Sequence, residues 1–391
     1  MACGYISSND ERLYAALELT YGQVLPVQSG NRLPAVRLGA KQTVERPQRR
    51  DKTGSRTYPG TPAGLRKKTA FDLTTYLTSW TQQDREPGYG PLFQASLGAP
   101  PAFFEGAAWA LNANAKMLTL SEDHELQEGH AVTFGGEMRF VNSVIDARTV
   151  ELNAPFSMQP AEGSPIGATV TYLPATSIET VSLFDYWSPA GAVSRIIAGA
   201  AIEQMRLKVN GDYHEFEFRG YGKDLIDSAS FTAGEGDLME FPAEPPLDGF
   251  DYTIIPGHLG QAWLGNTPDR FYTITAAEVT VENDLELRTR EFGSDMPRCL
   301  TPGVRTVSVA FDLFELNNPE TKALYQAARQ QSPIPVMLQL GQQPGQLFGI
   351  YLKSVMPEVP EFDDGETRLR WKFTNCRAQG TGDDEITVAF G

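Results

Sequence analysis

The chain has 391 residues, a formal net charge of −16 at pH 7 and a hydrophobic fraction of 41%. This length suffices for two or three domains. The sequence lacks the run of about 18 apolar residues that a membrane-spanning helix requires, and it lacks the basic and apolar regions of a signal peptide. Glycine (36) and proline (27) are abundant. We therefore expect a globular, turn-rich and mainly β protein rather than a helical membrane protein.

The sequence contains no recognisable catalytic or metal-binding motif. The histidines form no HxH or HExxH pair, and the cysteines are odd in number and far apart, which suits a reducing compartment. These residues are His124, His130, His214, His258, Cys3, Cys299 and Cys376. Asp363-Asp364 and Asp383-Asp384 could act as paired carboxylates of a hydrolase, but both pairs lie in turn-like polar segments. We predict no enzymatic activity, no cofactor and no metal site.

The first elements in the chain are a helix and a strand. Residues 9–20 are predicted to form a short helix, because Asn9 can cap it and Leu13 and Leu17 share one helical face. From Leu33 to Glu45 the period changes to two, which predicts a β-strand.

A long basic loop follows, from Arg46 to Arg66. The segment from Arg46 to Lys68 contains eight basic residues and one acidic residue, which leaves a charge of −23 for the rest of the chain. Its prolines and glycines oppose regular structure, and loops of about twenty residues in compact domains are usually functional or disordered. A basic loop on an acidic body suits contact between copies of the chain. The alternative, nucleic-acid contact, is disfavoured by the surrounding acidity.

The sequence predicts mainly strands and few helices in the middle of the chain. Residues 69–76 are predicted to form a strand and 91–97 a short helix. Residues 114–175 are predicted to form a small inserted β domain, with strands at His130 to Phe134, Met138 to Val144, Thr149 to Asn153 and Ala168 to Tyr172. After the insert, Asn210-Gly211 predicts a tight hairpin turn.

The last third begins with residues 232–268, a linker rich in proline, glycine and acids. A helix is predicted after Asn318, which can cap it, with Pro319 at the first helical position. Asp364-Gly365 predicts a second hairpin turn, and Glu385 to Phe390 predicts the final strand.

The sequence contains an internal repeat. Lys41 to Leu73 and Thr280 to Leu313 both read as strand, irregular loop and strand. Ala70 to Leu73 recurs as Ala310 to Leu313 at an offset of 240, and Gly54-Ser55 recurs at 239. We therefore predict a duplicated unit. The boundaries are 1–113 and 176–231 for the first copy, 114–175 for the insert, 232–268 for the linker and 269–391 for the second copy.

Four carboxylates alternate with apolar residues where the second copy begins. The alternation predicts one strand face with Glu278, Glu282, Asp284 and Glu286. Like charges on one face repel unless they are screened. The face is therefore either an ordinary solvated surface or an acidic wall with a function.

The repeated segments resemble phage tail tube proteins. The resemblance rests on Lys41 to Leu73 with its basic loop, on Phe292 to Leu313 and on Ile386 to Gly391, and it spans most of the chain except the insert. It implies an all-β fold with short helices: two tandem tail-tube-like β-sandwich or barrel domains plus the small inserted β domain. Tube proteins with one such unit form hexamers, and some with two units form trimeric rings. This chain resembles the second kind.

The resemblance also implies a role and its partners. The role is that of a structural virion protein, whose stacked rings form the viral tail tube, an acidic-lined channel for DNA ejection. The implied partners are further copies of the chain and the tape-measure, tail-terminator and baseplate proteins, with DNA passing unbound and no membrane contact. The implied location is the virion, after assembly in the host bacterial cytoplasm. Candidate ring-stacking residues are Arg49, Arg50, Lys52, Arg56, Tyr58 and Pro59. Candidate lumen-facing acids are Glu45, Glu278, Glu282, Asp284 and Glu286.

The alternative is a baseplate, tail-tip or adhesin-like binding protein, in which the insert recognises a host surface. Polymerisation of the purified chain into tubes favours the first function, and binding to glycans or cells favours the second. In a tube, the insert is expected to project from the outer surface, because the second copy lacks it.

Overall fold

The computed structural model describes residues 4–46, 51–58, 60, 64–106, 109–114, 116–209, 212–247, 250, 253–265 and 269–391. Strands dominate these residues and pair in antiparallel sheets. The predicted all-β fold with short helices is therefore confirmed.

The elements fall into two similar units and an insert. Unit one contains β1 (Glu11–Leu17), β2 (Arg32–Leu33), β3 (Ala35–Val44), β4 (Lys67–Tyr76), α1 (Gly90–Leu97) and, further along the chain, β13 to β16. Between α1 and β13 lie β5 (Ala102–Phe104), β6 (Trp109–Asn114), β7 (Met117–Leu120), β8 (Ala131–Phe134), β9 (Glu137–Val144), β10 (Thr149–Leu152), β11 (Ser164–Pro165) and β12 (Thr169–Tyr172). The insert is β6 to β11, which form a separate sheet.

The rest of the chain completes unit one and forms unit two. Unit one ends with β13 (Val181–Trp187), β14 (Arg195–Val209), β15 (Glu215–Gly222) and β16 (Asp224–Asp227). Unit two begins with β17 (Gly260–Leu264), β18 (Asp269–Arg270), β19 (Ile274–Glu282), β20 (Glu286–Leu287), β21 (Leu300–Thr301) and β22 (Thr306–Phe314). It ends with α2 (Pro319–Gln330), β23 (Ile334–Leu340), β24 (Phe348–Met356), β25 (Glu361–Asp363), β26 (Arg370–Ala378) and β27 (Thr387–Phe390).

Each unit is a sandwich of an inner and an outer sheet. In unit one the inner sheet has the order β3-β4-β15-β14 and the outer sheet β1-β13-β14-β16, with the 15-residue β14 shared between them. In unit two the inner sheet is β19-β22-β26-β25 and the outer sheet β17-β23-β24-β27. Here Pro357 and Pro360 separate β24 from β25, because proline cannot donate to a sheet ladder.

Matching β-bulges show which residues of the two units are equivalent. The β3–β4 ladder shifts register after Ala35, which lies opposite Thr75, and the β19–β22 ladder shifts after Ile274, opposite Leu313. Bulges are local, specific features of a strand pair, so Ala35 corresponds to Ile274 and Thr75 corresponds to Leu313. The sequence match that sets Leu73 against Leu313 is therefore two positions out of structural register.

A third bulge and a hairpin show which residues correspond in the strands that follow. The β13–β14 ladder shifts after Val181, opposite Ala200, and the β23–β24 ladder shifts after Ile334, opposite Val355. The hairpins also agree, because Lys208 lies opposite Glu215 and Asp363 lies opposite Arg370. Both features give one alignment, in which Ala200 corresponds to Val355 and Lys208 corresponds to Asp363.

The main core is continuous through both units and centres on α1. The ring of Phe93 lies 5.5 Å from that of Phe216 in unit one, and 5.6 and 5.5 Å from those of Phe348 and Phe390 in unit two. All four side chains are fully buried.

The predicted α2 cap is also present, since Asn318 Oδ1 accepts a hydrogen bond from Thr321 N at 2.9 Å.

Some predictions made from the sequence differ from the structure. Residues 9–20 contain strand β1 in place of the predicted helix. Four consecutive residues of this strand, from Leu13 to Ala16, are buried. A strand covered on both faces does not show the period of two, so its pattern resembles that of a short helix. The strand predicted at 168–172 is present as β12, but it pairs with β5 and β27 in the large sheet and not with the strands of the insert to which it was assigned.

Candidate assembly interface

The inner sheets of the two units join into one sheet of eight strands. Its order is β3-β4-β15-β14-β19-β22-β26-β25, because β14 of unit one pairs with β19 of unit two. One face packs on the core. The other face carries acidic and basic side chains in similar numbers: Asp72, Glu215, Glu217, Glu278, Glu282, Asp312, Glu361 and Asp363 against Arg37, Lys41, Lys68, Arg206, Lys208, Arg219, Arg370, Lys372 and Arg377. We call this surface the polar face.

Many of the charges on the polar face form ion pairs with side chains on the same sheet. Lys208 Nζ lies 2.5 Å from Glu217 Oε1, and Arg206 Nε lies 3.3 Å from Glu278 Oε1. In unit two, Asp363 Oδ2 lies 2.8 Å from Lys372 Nζ and 2.6 Å from Arg370 Nη2. These hydrogen bonds, first from Lys372 and then from Arg370, hold the pKa of Asp363 well below its usual range. Asp363 is thus an ionised partner in an ion pair and not a catalytic acid.

The junction between β14 and β19 is packed like a protein interior. Leu207 lies opposite Val279 in the ladder, and both are essentially inaccessible to solvent. On the polar face, Gln204 Nε2 donates a hydrogen bond to Glu282 Oε1 at 2.9 Å. Beyond the end of β19, the buried Asn283 side chain donates to the carbonyl oxygen of Ile202 at 2.9 Å. The two units are therefore joined edge to edge by apolar packing, a backbone hydrogen-bond ladder and side-chain hydrogen bonds.

The eight-stranded sheet ends in two edge strands, β3 and β25, and each has a free edge among the described residues. β3 pairs with β4 alone and β25 with β26 alone. Phe362 of β25 is equivalent to Leu207, yet 56% of its surface is exposed whereas Leu207 is fully buried. Val36 and Val44 of β3 are also nearly half exposed. Apolar side chains at open strand edges favour pairing with another strand.

The structure separates the predicted lumen-facing acids. Glu278 and Glu282 lie on the polar face of β19. The strand ends at Glu282, and Asp284 adopts a φ of +49°, so the predicted single strand face is wrong for Asp284 and Glu286. Glu45 is exposed just after β3, and its N–H donates to the carbonyl oxygen of Arg66 at 2.8 Å. A left-handed residue breaks the alternation, and the sequence period alone does not reveal it.

The predicted ring-stacking residues are partly described. Lys52, Arg56 and Tyr58 are exposed, Tyr58 by 64%. Arg49, Arg50 and Pro59 lie outside the described residues. The equivalent loop of unit two contains the short β20–β21 ladder and carries Phe292, which is fully exposed.

The unit-two loop also contacts unit one. The carbonyl oxygen of Asp295 accepts a hydrogen bond from the N–H of Lys67, at the start of β4, at 2.7 Å. Only the first loop was predicted from the sequence to be an interface. An apolar Phe292 in a polar loop is the signal that could have identified the second.

The insert packs on the outer sheet of unit two. Phe140 stacks on Tyr351 with ring centroids 5.3 Å apart. The fully buried Arg139 lies over the ring of Trp263 at 4.7 Å and forms an ion pair with Glu137 at 2.9 Å. Gln261 donates to the same carboxylate at 2.8 Å. A buried charge needs such partners, so this contact is specific and holds the insert against the body.

Comparisons with known proteins identify no family for this chain. No protein-family model matches it, and no curated protein matches it either. Within the part of the chain that the structure describes, no three His, Cys, Asp or Glu side chains are grouped so that they could hold a metal ion. None of the described helices combines the length and the apolar character needed to cross a bilayer.

Proposed function

We propose that this chain is the structural subunit of a tube of stacked rings, the tail tube of a long-tailed phage. The observation that carries the proposal is the β14–β19 ladder. It joins two equivalent units edge to edge and leaves the equivalent edges, β3 and β25, open at opposite ends of the sheet. Repeating this junction between chains removes these open edges and gives a closed ring.

Three chains per ring fit the duplicated unit. The resemblance to tail tube proteins implies six units in a ring, and each chain supplies two. The polar face then lines the channel, and the core and outer sheets lie outside it. Unpaired cationic side chains bind the phosphates of DNA. On this face, carboxylates of the same sheet contact Arg206, Lys208, Arg370 and Lys372. We therefore propose a wall of mixed and largely paired charge, in place of the acidic-lined one expected from the resemblance, along which DNA moves without specific binding.

The subunit is a virion protein that assembles in the host bacterial cytoplasm. The assembled tube contacts the tape-measure, tail-terminator and baseplate proteins. We assign contact with the next ring to the loops at Lys52 to Tyr58 and at Phe292, because their side chains are exposed.

Negative-stain microscopy of the purified chain tests this function. We expect tubes whose end-on views show six similar units made of three chains, with the chain number checked by the mass of a single ring. Rings of six full chains would contradict the trimeric arrangement. A chain that stays monomeric and binds glycans or cells would favour the tail-tip alternative.

A further inference from the structure

The two junction edges of the chain carry opposite charge patterns. At the internal junction, β14 presents Arg206 and Lys208, and β19 presents Glu278 and Glu282. The matching hairpins place Glu361 and Asp363 of β25 at the positions of Arg206 and Lys208. The free edge of unit two is therefore acidic where the equivalent edge of unit one is basic.

The free edge of unit one is reversed in the same way. The matching bulges place Gly39, Lys41 and Thr43 of β3 at the positions of Glu278, Thr280 and Glu282. Two acids are thus lost from this edge and one lysine is gained. Lys41 is exposed and lies on the polar face.

The internal register predicts the contacts of a junction between chains. Arg206 lies opposite Thr280, and Leu207 opposite Val279. The equivalent pairs are Glu361 opposite Lys41, and Phe362 opposite Ala40. Asp363 then lies diagonally across from Lys41. Directly opposed and diagonal side chains on one sheet face interact, so the lysine would meet both acids.

We propose that Lys41 of one chain and the Glu361–Asp363 pair of the next form a charge code that selects this junction, with β25 joined to β3. This inference rests on the proposed ring. The code rejects the other pairings of the free edges: β25 on β25 brings acids together, and β3 on β3 brings bases together. Like charges directly across an interface disfavour binding, so only head-to-tail addition of chains is allowed.

Charge reversal at the free edges tests the code. We expect Lys41→Glu, or Glu361→Lys with Asp363→Lys, to raise the critical concentration for polymerisation by about tenfold or more, since tenfold corresponds to only about 1.4 kcal/mol. The combined triple variant restores opposite charges and should return to the wild-type value. Lys322→Glu, which makes the same charge change as Lys41→Glu but on the exposed side of α2, is the control and should have no effect.

Cysteine pairs test the register. In a background with the native cysteines replaced by serine, Ala40→Cys with Phe362→Cys should cross-link neighbouring chains in the tube. Gln42→Cys with Phe362→Cys, displaced by two residues, should cross-link much less. If the wild type forms tubes but the charge reversals have no effect, or the triple variant is not restored, the code is wrong and the ring stands. If the wild type forms no rings, both proposals fail.

Discussion

Burial of His214 makes the stability of this protein depend on pH. The residue lies just before β15 inside the core, with no exposed surface, and burial lowers its pKa to about 4. In the unfolded chain a histidine titrates near pH 6.5. Between these values the unfolded chain binds a proton that the folded chain does not, so the contribution of His214 to stability falls as pH drops from about 6.5 to about 4. The loss approaches about 3 kcal/mol.

Urea unfolding at pH 7, 5 and 4 measures this effect. His214→Met fills a similar volume without a titrating group, so the wild type should lose stability relative to this variant as pH drops across the window. Other groups, such as Glu11, whose pKa burial raises to about 7, contribute equally to both proteins. His258→Gln removes the neighbouring exposed histidine and should keep the wild-type slope. An unchanged slope in His214→Met would show that other groups dominate.

At the scale of single elements, the sequence predicted strands and helix starts that depend on neighbouring residues in the chain. The period of two from Leu33 to Glu45 predicted β3, and Asn318-Pro319 predicted the start of α2. The helix predicted at 9–20 was wrong because β1 is covered on both faces. The alignment of Leu73 with Leu313 was two positions out, because bulges cannot be seen in the sequence.

Contacts between segments that are distant in the chain could not be predicted from the sequence. The site residues were chosen for charge and loop length, which identified exposed side chains such as Arg56 and Tyr58 correctly. The β14–β19 ladder and the docking of the insert join segments that are far apart in the chain. No local period records such pairing, so the free edges β3 and β25 became visible only in the structure.

The insert is expected to stabilise unit two. Removing β6 to β11 would uncover Trp263, Met337 and Tyr351, which are buried beneath it. Exposed apolar patches of this kind weaken a fold and bind hydrophobic dyes. A deletion variant that joins Gly106 to Ile166 should unfold at a lower urea concentration than the full chain and bind ANS.

A matched variant separates this effect from simple truncation. The same deletion with Trp263→Gln and Met337→Thr leaves a more polar surface and should bind less ANS. A deletion variant that is as stable as the full chain, with no ANS binding, would show that the insert is an independent appendage.

At the scale of the whole molecule, the basic loop should control stacking of rings. Lys52 and Arg56 are exposed on a chain that is acidic elsewhere. Single exposed ion pairs contribute only about 0–1 kcal/mol, but a ring repeats them. Lys52→Glu with Arg56→Glu should shorten tubes measured by electron microscopy, as should high salt with the wild type. The control is Lys322→Glu with Arg329→Glu on α2, and tubes of normal length from the loop variant would contradict the role.

The number of chains in a ring can be read from a mixture of two charge-reversed variants. Lys41→Glu chains have two acidic edges, and Glu361→Lys, Asp363→Lys chains have two basic edges. Every favourable junction in the mixture joins one kind to the other, so the kinds must alternate around a ring. Three chains cannot alternate, and at least one junction per ring brings like charges together. We therefore expect an equal mixture to polymerise less than the triple variant in sedimentation assays. Polymerisation equal to that of the triple variant would indicate an even number of chains or an open helix, because both allow complete alternation.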